Sequence, residues 1–593
     1  MVEEGSQARR WGARRDPLIT ALLVATVAAA FVLVGPIGDV PIDDDWSMGR
    51  TALRFYQTGH YQPDQWAAMT IIADVIWSWP FQALLGSSFH SLRVATLAIS
   101  LTIAPLLYLA GRELGARRAL AVLGALAVAL DPLVVSRSFS FMSDVYFAAF
   151  SSAAIWTFLV WLRSRRPGWL IAAIVMAVLA SLSRQLGLYL PLAMAVMLVG
   201  GRWTWPRLVL AGLPLLAVGA ALLGHAMLLR AEGAVQGEFG DRLAQIAGVL
   251  TGRGGDSLAS SGLMLACAIY LGLLLLPVLV WPAIVRSPRL PRVVTILSVV
   301  VPVAIVGEVA FLRWQLGASP FLPVMQSTLL RQGIGPYLFW GAYKSSDNPD
   351  NLPLAVWPVL SLLAAFGFVI LVRLAIASIW LAVQKLRPAG FRGAGRRLAE
   401  WRAELFLAIG AAAYLFALVQ TTIYDRYMIG VLPPLVLLLE RLATRREMHP
   451  ADRLNRSAPP LTAWACLALM AWFGIAGTRD LNTVQAARWA MLDELLARGV
   501  SPREIDGGFE FNAWHNYERS RRKTAYTAVG DPRHPERSWW WVHDDKYVFT
   551  LKDRPGYRPI MERRFARVLD GKTVTLRILE RDHEPADPAL PTD

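Results

Sequence analysis

The chain has 593 residues, 55% of them hydrophobic, a mean hydropathy of +0.41 and a formal net charge of +15. Soluble domains are about 45–50% apolar, so a single soluble globule is excluded. The arginines fall in short loops between apolar blocks rather than on a nucleic-acid module, which argues against a nucleic-acid partner.

In chain order, Arg9, Arg10, Arg14 and Arg15 precede about twenty apolar residues, and "GPIGDVPIDDDW" follows where a small-residue cleavage site would stand. This reads as a basic cytoplasmic N-terminus (1–16) and an uncleaved first span (17–36). Twelve further blocks of spanning length are predicted, the first six at 92–110, 118–135, 145–162, 169–185, 187–201 and 208–228. The others are at 260–282, 293–312, 354–378, 404–421, 428–442 and 460–477, making thirteen. Backbone groups in lipid must be satisfied within the segment, so these blocks are helices. The fold class expected is an all-α polytopic membrane protein with a transmembrane domain over 17–477. Cys267 and Cys466 lie inside apolar blocks, and no disulfide framework is readable.

One block sets the topology. "WAAMTIIADVIWSWPFQALLG" (66–86) is apolar, yet it carries Asp74, Gln82, Trp77, Trp79 and Pro80. A charge at mid-bilayer costs about 2.5–3.5 kcal/mol on insertion scales, and tryptophans favour the interface. With 66–86 in the interface, the arginine-rich loops after 110, 162, 201, 282, 378 and 440 share the side of the basic N-terminus. With 66–86 spanning, all of them change sides, against the positive-inside rule. The sequence therefore predicts an outer loop (37–91) with interfacial helices, and it reads Asp74 as an interfacial polar residue. On the same face it places 136–146, 229–258, 311–353, 421–427 and everything beyond 478. "DLNTVQAARWAMLDELLARGV" (480–500) reads as an amphipathic helix and "KTVTLRILER" (572–581) as a strand. Residues 478–593 are expected to form a small extracytoplasmic α/β or α+β domain, and 385–402 a cytoplasmic linker.

The chemistry-bearing residues collect on that outer face. Asp43, Asp44 and Asp45 follow the first span, Arg137 and Asp144 precede the fourth, and Arg184 ends the fifth. Tyr424, Asp425, Arg426 and Tyr427 lead into the twelfth. Guanidinium forks bind phosphate, a carboxylate can take a proton from a hydroxyl, and crowded carboxylates have raised pKa values. Residue type alone leaves a second reading open for each. Asp44 or Asp45 would cap a helix starting at Trp46, Asp144 would cap the fourth span, and Arg184 and Arg426 would snorkel to the interface. His515 and His543 lack metal spacing.

The order of "DDDWSMGRTALRFYQTGHY", the stretch from "SLRVATLAIS" to "SRSFSFMSDVYFAAF", "SLSRQLGLYLPLA" and "YDRYMIGVLPPLVLL" resembles the bacterial family 39-like members of the C-type glycosyltransferases. Protein O-mannosyltransferases and the lipid A aminoarabinose transferase are their relatives. The likeness covers roughly residues 15 to 480, and "REIDGGFEFNAWHNYE" (503–518) is similar to outer domains of some bacterial members. The resemblance implies transfer from a polyprenyl-phosphate sugar to a glycan, lipid or protein hydroxyl, outside the bacterial plasma membrane. It puts the first-loop acid on Asp44, with Asp43 and Asp45 beside it, and the second-loop acid on Asp144. The family's usual first-loop pattern is Asp-Glu, and this chain has Asp-Asp. The expected mechanism is an inverting displacement with Asp44 as base. Arg184, Arg426, Arg137 and Tyr427 would meet the donor phosphate, without metal or other cofactor. A flippase or transporter would favour paired halves with mid-bilayer charges, and a polysaccharide polymerase or ligase a large outer loop late in the chain. Neither pattern is present. A non-catalytic scaffold docking partners through 478–593 is the third rival.

Overall fold

The computed structural model describes residues 2–582, except 37, 68, 201–203, 235–256, 282–290, 316–321, 326, 338–350, 387–399, 421–423, 448–459, 523–540 and 543. Most of the expected loop 229–258, nearly half of 311–353, most of the linker at 385–402 and His543 therefore lie outside the described residues.

The described part is mostly helical. Eleven helices come first: α1 (Val2–Val34), α2 (Asp45–Thr58), α3 (Ile72–Leu85), α4 (Phe89–Ser100), α5 (Ile103–Glu113), α6 (Arg118–Ala129), α7 (Pro132–Ser138), α8 (Ser143–Ser164), α9 (Pro167–Ser183), α10 (Tyr189–Val199) and α11 (Trp205–Ala231). Long helices follow at Ser257–Leu274, Arg292–Gln315, Val356–Leu386, Arg402–Leu418, Leu432–Glu447 and Leu461–Ala497. Among the described residues seven helices are long and apolar enough to cross a membrane, or eight if α6 and α7, bent by 55°, form one span. The protein is thus a multi-pass membrane protein. Several expected spans appear as shorter helices, α9 and α10 among them.

Local chemistry sets the breaks. The bend at Asp131–Pro132 arises because proline cannot donate to the preceding turn, while Asp131 Oδ1 accepts from the Leu133 amide at 2.9 Å and restarts the helix as its cap. Ser88 and Ser91 form a reciprocal capping box at the start of α4. Gly59, at φ +73°, ends α2 in the left-handed conformation that glycine adopts without steric cost.

The core lies around α8. Its membrane-length window is 83% buried, against 22% for Trp205–Ala231 and 11% for Arg292–Leu312, which turn apolar side chains outward as lipid-facing helices do. α8 packs along α9 and against α5.

Two expectations need correcting. The helix α3 is 14 residues long, about 21 Å at 1.5 Å per residue, too short to span. Asp74, however, is not an interfacial side chain: it is 2% exposed, because α3 turns that face onto α9. The helix expected at 480–500 is not separate from the last span. Leu461–Ala497 is one helix of 37 residues, since nothing between Gly477 and Asp480 breaks its hydrogen bonding. Beyond it stand the helix Phe509–Arg522 and a four-stranded sheet of order β3-β4-β6-β5. Its strands are β3 (Ile505–Asp506), β4 (Tyr547–Thr550), β5 (Tyr557–Ala566) and β6 (Thr573–Arg581). β3 pairs parallel to β4, and the other pairs are antiparallel. The strand expected at 572–581 is β6, its inward Val574, Leu576 and Ile578 alternating as period two requires. A further pair, β1 (Leu329–Leu330) and β2 (Gly333–Ile334), lies near the site.

Candidate active site

The three aspartates occupy a tight turn between α1 and α2, and each points to different partners. The turn closes through Asp45 N donating to Ile42 O at 3.3 Å. Asp43 sits at φ +59°, a left-handed conformation uncommon outside glycine and kept only where surrounding contacts enforce it.

Asp43 is buried. Its Oδ2 accepts from Arg137 Nη1 at 2.6 Å and from Arg426 Nη1 at 2.8 Å. Asp44 Oδ2 accepts from the other arm of the same fork, Arg426 Nη2, at 2.8 Å, and Asp44 Oδ1 accepts from the Trp66 indole at 2.9 Å. Asp44 alone of the three keeps exposure, its side chain 24% accessible. Asp45 points inward: it is fully buried, accepts from the amides of Ile42 and Phe141, and lies 3.7 Å from Arg93. Neither Asp44 nor Asp45 makes a side-chain cap bond to α2, so the capping alternative does not describe them.

Their proton affinities separate accordingly. Burial, together with the Asp44 charge, raises Asp43 above the ordinary carboxylate range against the pull of Arg426 and Arg137. Burial also acts on Asp44, but the Arg426 guanidinium and the Trp66 and Arg426 hydrogen bonds outweigh it and bring Asp44 below that range. Burial lifts Asp45 to about 7 despite Arg93. Adjacent carboxyls in one turn are thus shifted in opposite directions by their different surroundings.

The other arginines come from distant segments. Arg137, on α7, also donates to Thr328 Oγ1 at 2.9 Å, and Asp425 holds that segment by accepting from the Thr328 and Leu329 amides. Arg184, between α9 and a short 3₁₀ turn at Gln185–Leu188, pairs with Asp144 in the first turn of α8. Met142 caps α8, so Asp144 is an ion-pair partner and not the cap. Arg184 lies 4.5 Å from the centre of the Tyr427 ring, and Arg426 lies 5.7 Å from it. All eight residues singled out in the sequence therefore lie in one neighbourhood. Arg137 and Arg184 are 2% exposed and Arg426 6%, so none snorkels to an interface. The Nε atoms of Arg184 and Arg426 are buried without a hydrogen-bond partner among the described residues. Such donors are costly to leave unmet, and an anion in this site would satisfy them.

Sequence reasoning did not single out Trp66, Thr328 or Glu510, whose carboxylate accepts from the Asp43 amide at 2.9 Å. Glu510 lies within the stretch 503–518 noted above, but nothing local ties it to the turn. Among the described residues no three His, Cys, Asp or Glu side chains group as a metal ion would require.

Residues 76–231 match the family described as dolichyl-phosphate-mannose-protein mannosyltransferase, a stretch that carries Arg137, Asp144 and Arg184. That match spans 156 of the chain's 593 residues. Among solved structures, the chain is similar to ArnT from Cupriavidus metallidurans in the apo state, at 13% identity and a TM-score of 0.34, covering 94% of this chain and 97% of that one. The same ArnT bound to undecaprenyl phosphate gives 14% and 0.33 over the same shares. The oligosaccharyltransferase AglB from Archaeoglobus fulgidus, in complex with an inhibitory peptide and a dolichol-phosphate, gives 15% and 0.36, covering 79% of this chain and 56% of that one. No curated protein matches the sequence.

Proposed function

We propose that the chain is a C-type glycosyltransferase that moves a sugar from a polyprenyl-phosphate donor to a hydroxyl of a glycan, lipid or protein acceptor, at the extracytoplasmic face of a bacterial plasma membrane. The positive-inside distribution of arginines supports that orientation, with the N-terminus cytoplasmic and the residues beyond 478 outside. The matched family's described donor, a dolichyl-phosphate sugar, supports the donor class.

The observation that carries the reading is that Asp44 is the partly exposed member of an otherwise buried carboxylate–guanidinium cluster. Asp44 takes the proton of the acceptor hydroxyl as its oxygen attacks the anomeric carbon. The new carbon–oxygen bond forms as the bond to the phosphate oxygen breaks, and the electron pair leaves with the polyprenyl phosphate. Arg426 and Arg184, each with a free Nε donor among the described residues, receive that returning charge beside Tyr427, with Arg137 behind them. A single displacement inverts the anomeric centre. In this reading Asp43 and Asp144 hold Arg426, Arg137 and Arg184 in place, and Asp45 braces the turn.

The guanidinium groups supply the positive charge this chemistry needs, so transfer is expected to survive dialysis against a chelator. Loss of activity restored by a divalent cation would overturn that expectation. The main test uses the purified protein in nanodiscs with labelled polyprenyl-phosphate sugars and candidate acceptors. The native protein should free polyprenyl phosphate and label an acceptor without a second protein, which a flippase or scaffold would not do. Asp44→Asn should fold normally and lose transfer by at least about three orders of magnitude. Transfer at the native rate by that variant would end the assignment.

A further inference from the structure

The residues after the last span are expected, on the sequence alone, to form a small separate domain, but their contacts reach into the aspartate turn itself. Asp43, in its left-handed conformation, turns its amide away from the turn-closing hydrogen bond between Asp45 and Ile42. That amide is buried and donates to Glu510 Oε1 at 2.9 Å. Glu510 stands in the first turn of the helix Phe509–Arg522. Its Oε2 accepts from Arg488 Nη1 at 2.9 Å, and Gln485 Nε2 lies 3.4 Å from Oε1. Arg488 and Gln485 belong to the outer part of the long helix Leu461–Ala497. The Arg488 and Glu510 side chains are both wholly buried.

The same helix grips α2 at further points. Arg50 donates to the carbonyls of Ala513 and Trp514 at 3.2 and 2.7 Å. The ring of Trp46 lies 4.9 Å from that of Tyr517 on the helix and, beyond the helix, 5.6 Å from that of Trp541. These contacts fix where the helix sits, but only Glu510 among them touches the backbone of the aspartate triplet. A buried carboxylate makes a short, charge-assisted bond to an amide. This one holds the residue whose φ decides that Asp43 and Asp44 both face Arg426 while Asp45 faces inward.

We propose that Glu510 is a positioning residue for the transfer reaction: through the Asp43 amide it holds the left-handed turn that aims Asp44 outward. The proposal rests on the reading of Asp44 as base. It assigns the C-terminal part of the chain a role in the chemistry, acting through the backbone and not through substrate.

The test removes the hydrogen bond without leaving a lone buried charge. Arg488→Leu with Glu510→Leu deletes both members of the pair, and Arg488→Leu with Glu510→Gln returns only an acceptor oxygen for the Asp43 amide. Both are made in the full chain and assayed with whichever of a panel of labelled polyprenyl-phosphate sugars, mannose first, the native protein turns over. The leucine pair should lose about 10- to 100-fold in kcat, with donor KM within about threefold, because small misplacements of a reacting group carry penalties of that size. The glutamine pair should recover most of the loss at the same thermal midpoint. Amide exchange of residues 40–46 should rise in the first variant and fall back in the second. Equal kcat in the two double variants would overturn the proposal. If the leucine pair does not fold, Glu510→Asp, which keeps the charge beside Arg488 and withdraws the acceptor by one methylene, should show the same fall in kcat, and a native kcat there would equally refute it. Asp44→Asn, run alongside, separates the failures. If it remains active, the reading of the base falls. If it is inactive while the double variants match, only the role of Glu510 falls.

Discussion

The two ends of α8 hold the same residue types in opposite circumstances. At its start, Arg137, Arg184 and Arg426 have side chains only 2%, 3% and 7% exposed, and each is paired with a buried or nearly buried aspartate. Towards its other end, 20 residues after Ser143 and about 30 Å along the axis, Arg163 is 70% exposed beside Glu113. Arg112 and Arg118 share Asp16 at 30% and 35% exposure. Solvated pairs of the second kind contribute about 0–1 kcal/mol each and set orientation in the membrane by their number. Buried pairs of the first kind carry desolvation penalties of several kcal/mol per ion and persist only with close geometry on both sides. Burial of charge, and not residue type, is what sets the two ends apart.

That contrast can be broken most severely at Arg426, whose two fork arms hold Asp43 and Asp44 together. Arg426→Lys keeps the charge but offers a single point donor. The expected loss in kcat/KM is on the order of 100-fold, read in the same transfer assay. Activity within threefold of native would show that the fork is not needed.

A smaller effect comes from Asp45. Burial pushes this carboxyl up to about 7 in the folded chain, whereas the unfolded chain releases its proton near the ordinary 3.8. The folded state therefore binds more protons in that window. The stability Asp45 contributes is full below 3.8 and is lost as pH rises toward about 7, by at most about 1.4 kcal/mol per unit. Thermal midpoints of the native protein in detergent should fall across this range relative to Asp45→Asn. Parallel curves for the two proteins would refute the assignment. The smallest change is expected from the solvated end: Arg163→Ala should shift stability by no more than about 0.5 kcal/mol and leave transfer unaltered. A large loss there would erase the distinction between the two ends.

Much of the site was legible because membrane spans make charge conspicuous. Asp43 to Asp45, Arg137, Asp144, Arg184 and Arg426 all stand at the ends of apolar blocks, and the structure brings them into one neighbourhood. Asp74 was misread because its neighbours Trp77 and Trp79 are interfacial by type, while its burial depends on how α3 lies on α9. Trp66 and Glu510 gave no signal. Their bonds to the aspartate turn join residues 22 and 467 positions apart, and no periodicity within one helix reports on such a pairing.

The sequence by itself determined that the chain crosses a membrane many times as helices, because blocks of that length leave no other way to satisfy backbone hydrogen bonds in lipid. It also determined which termini of those helices carry acid and guanidinium. Only the tertiary structure decided how three adjacent aspartates differ: one is clasped by two arginines, one is left partly exposed, one is turned inward to brace the loop. Identical side chains in a row have identical intrinsic chemistry, and their difference comes from one left-handed backbone angle and from partners that folding alone brings within hydrogen-bonding distance.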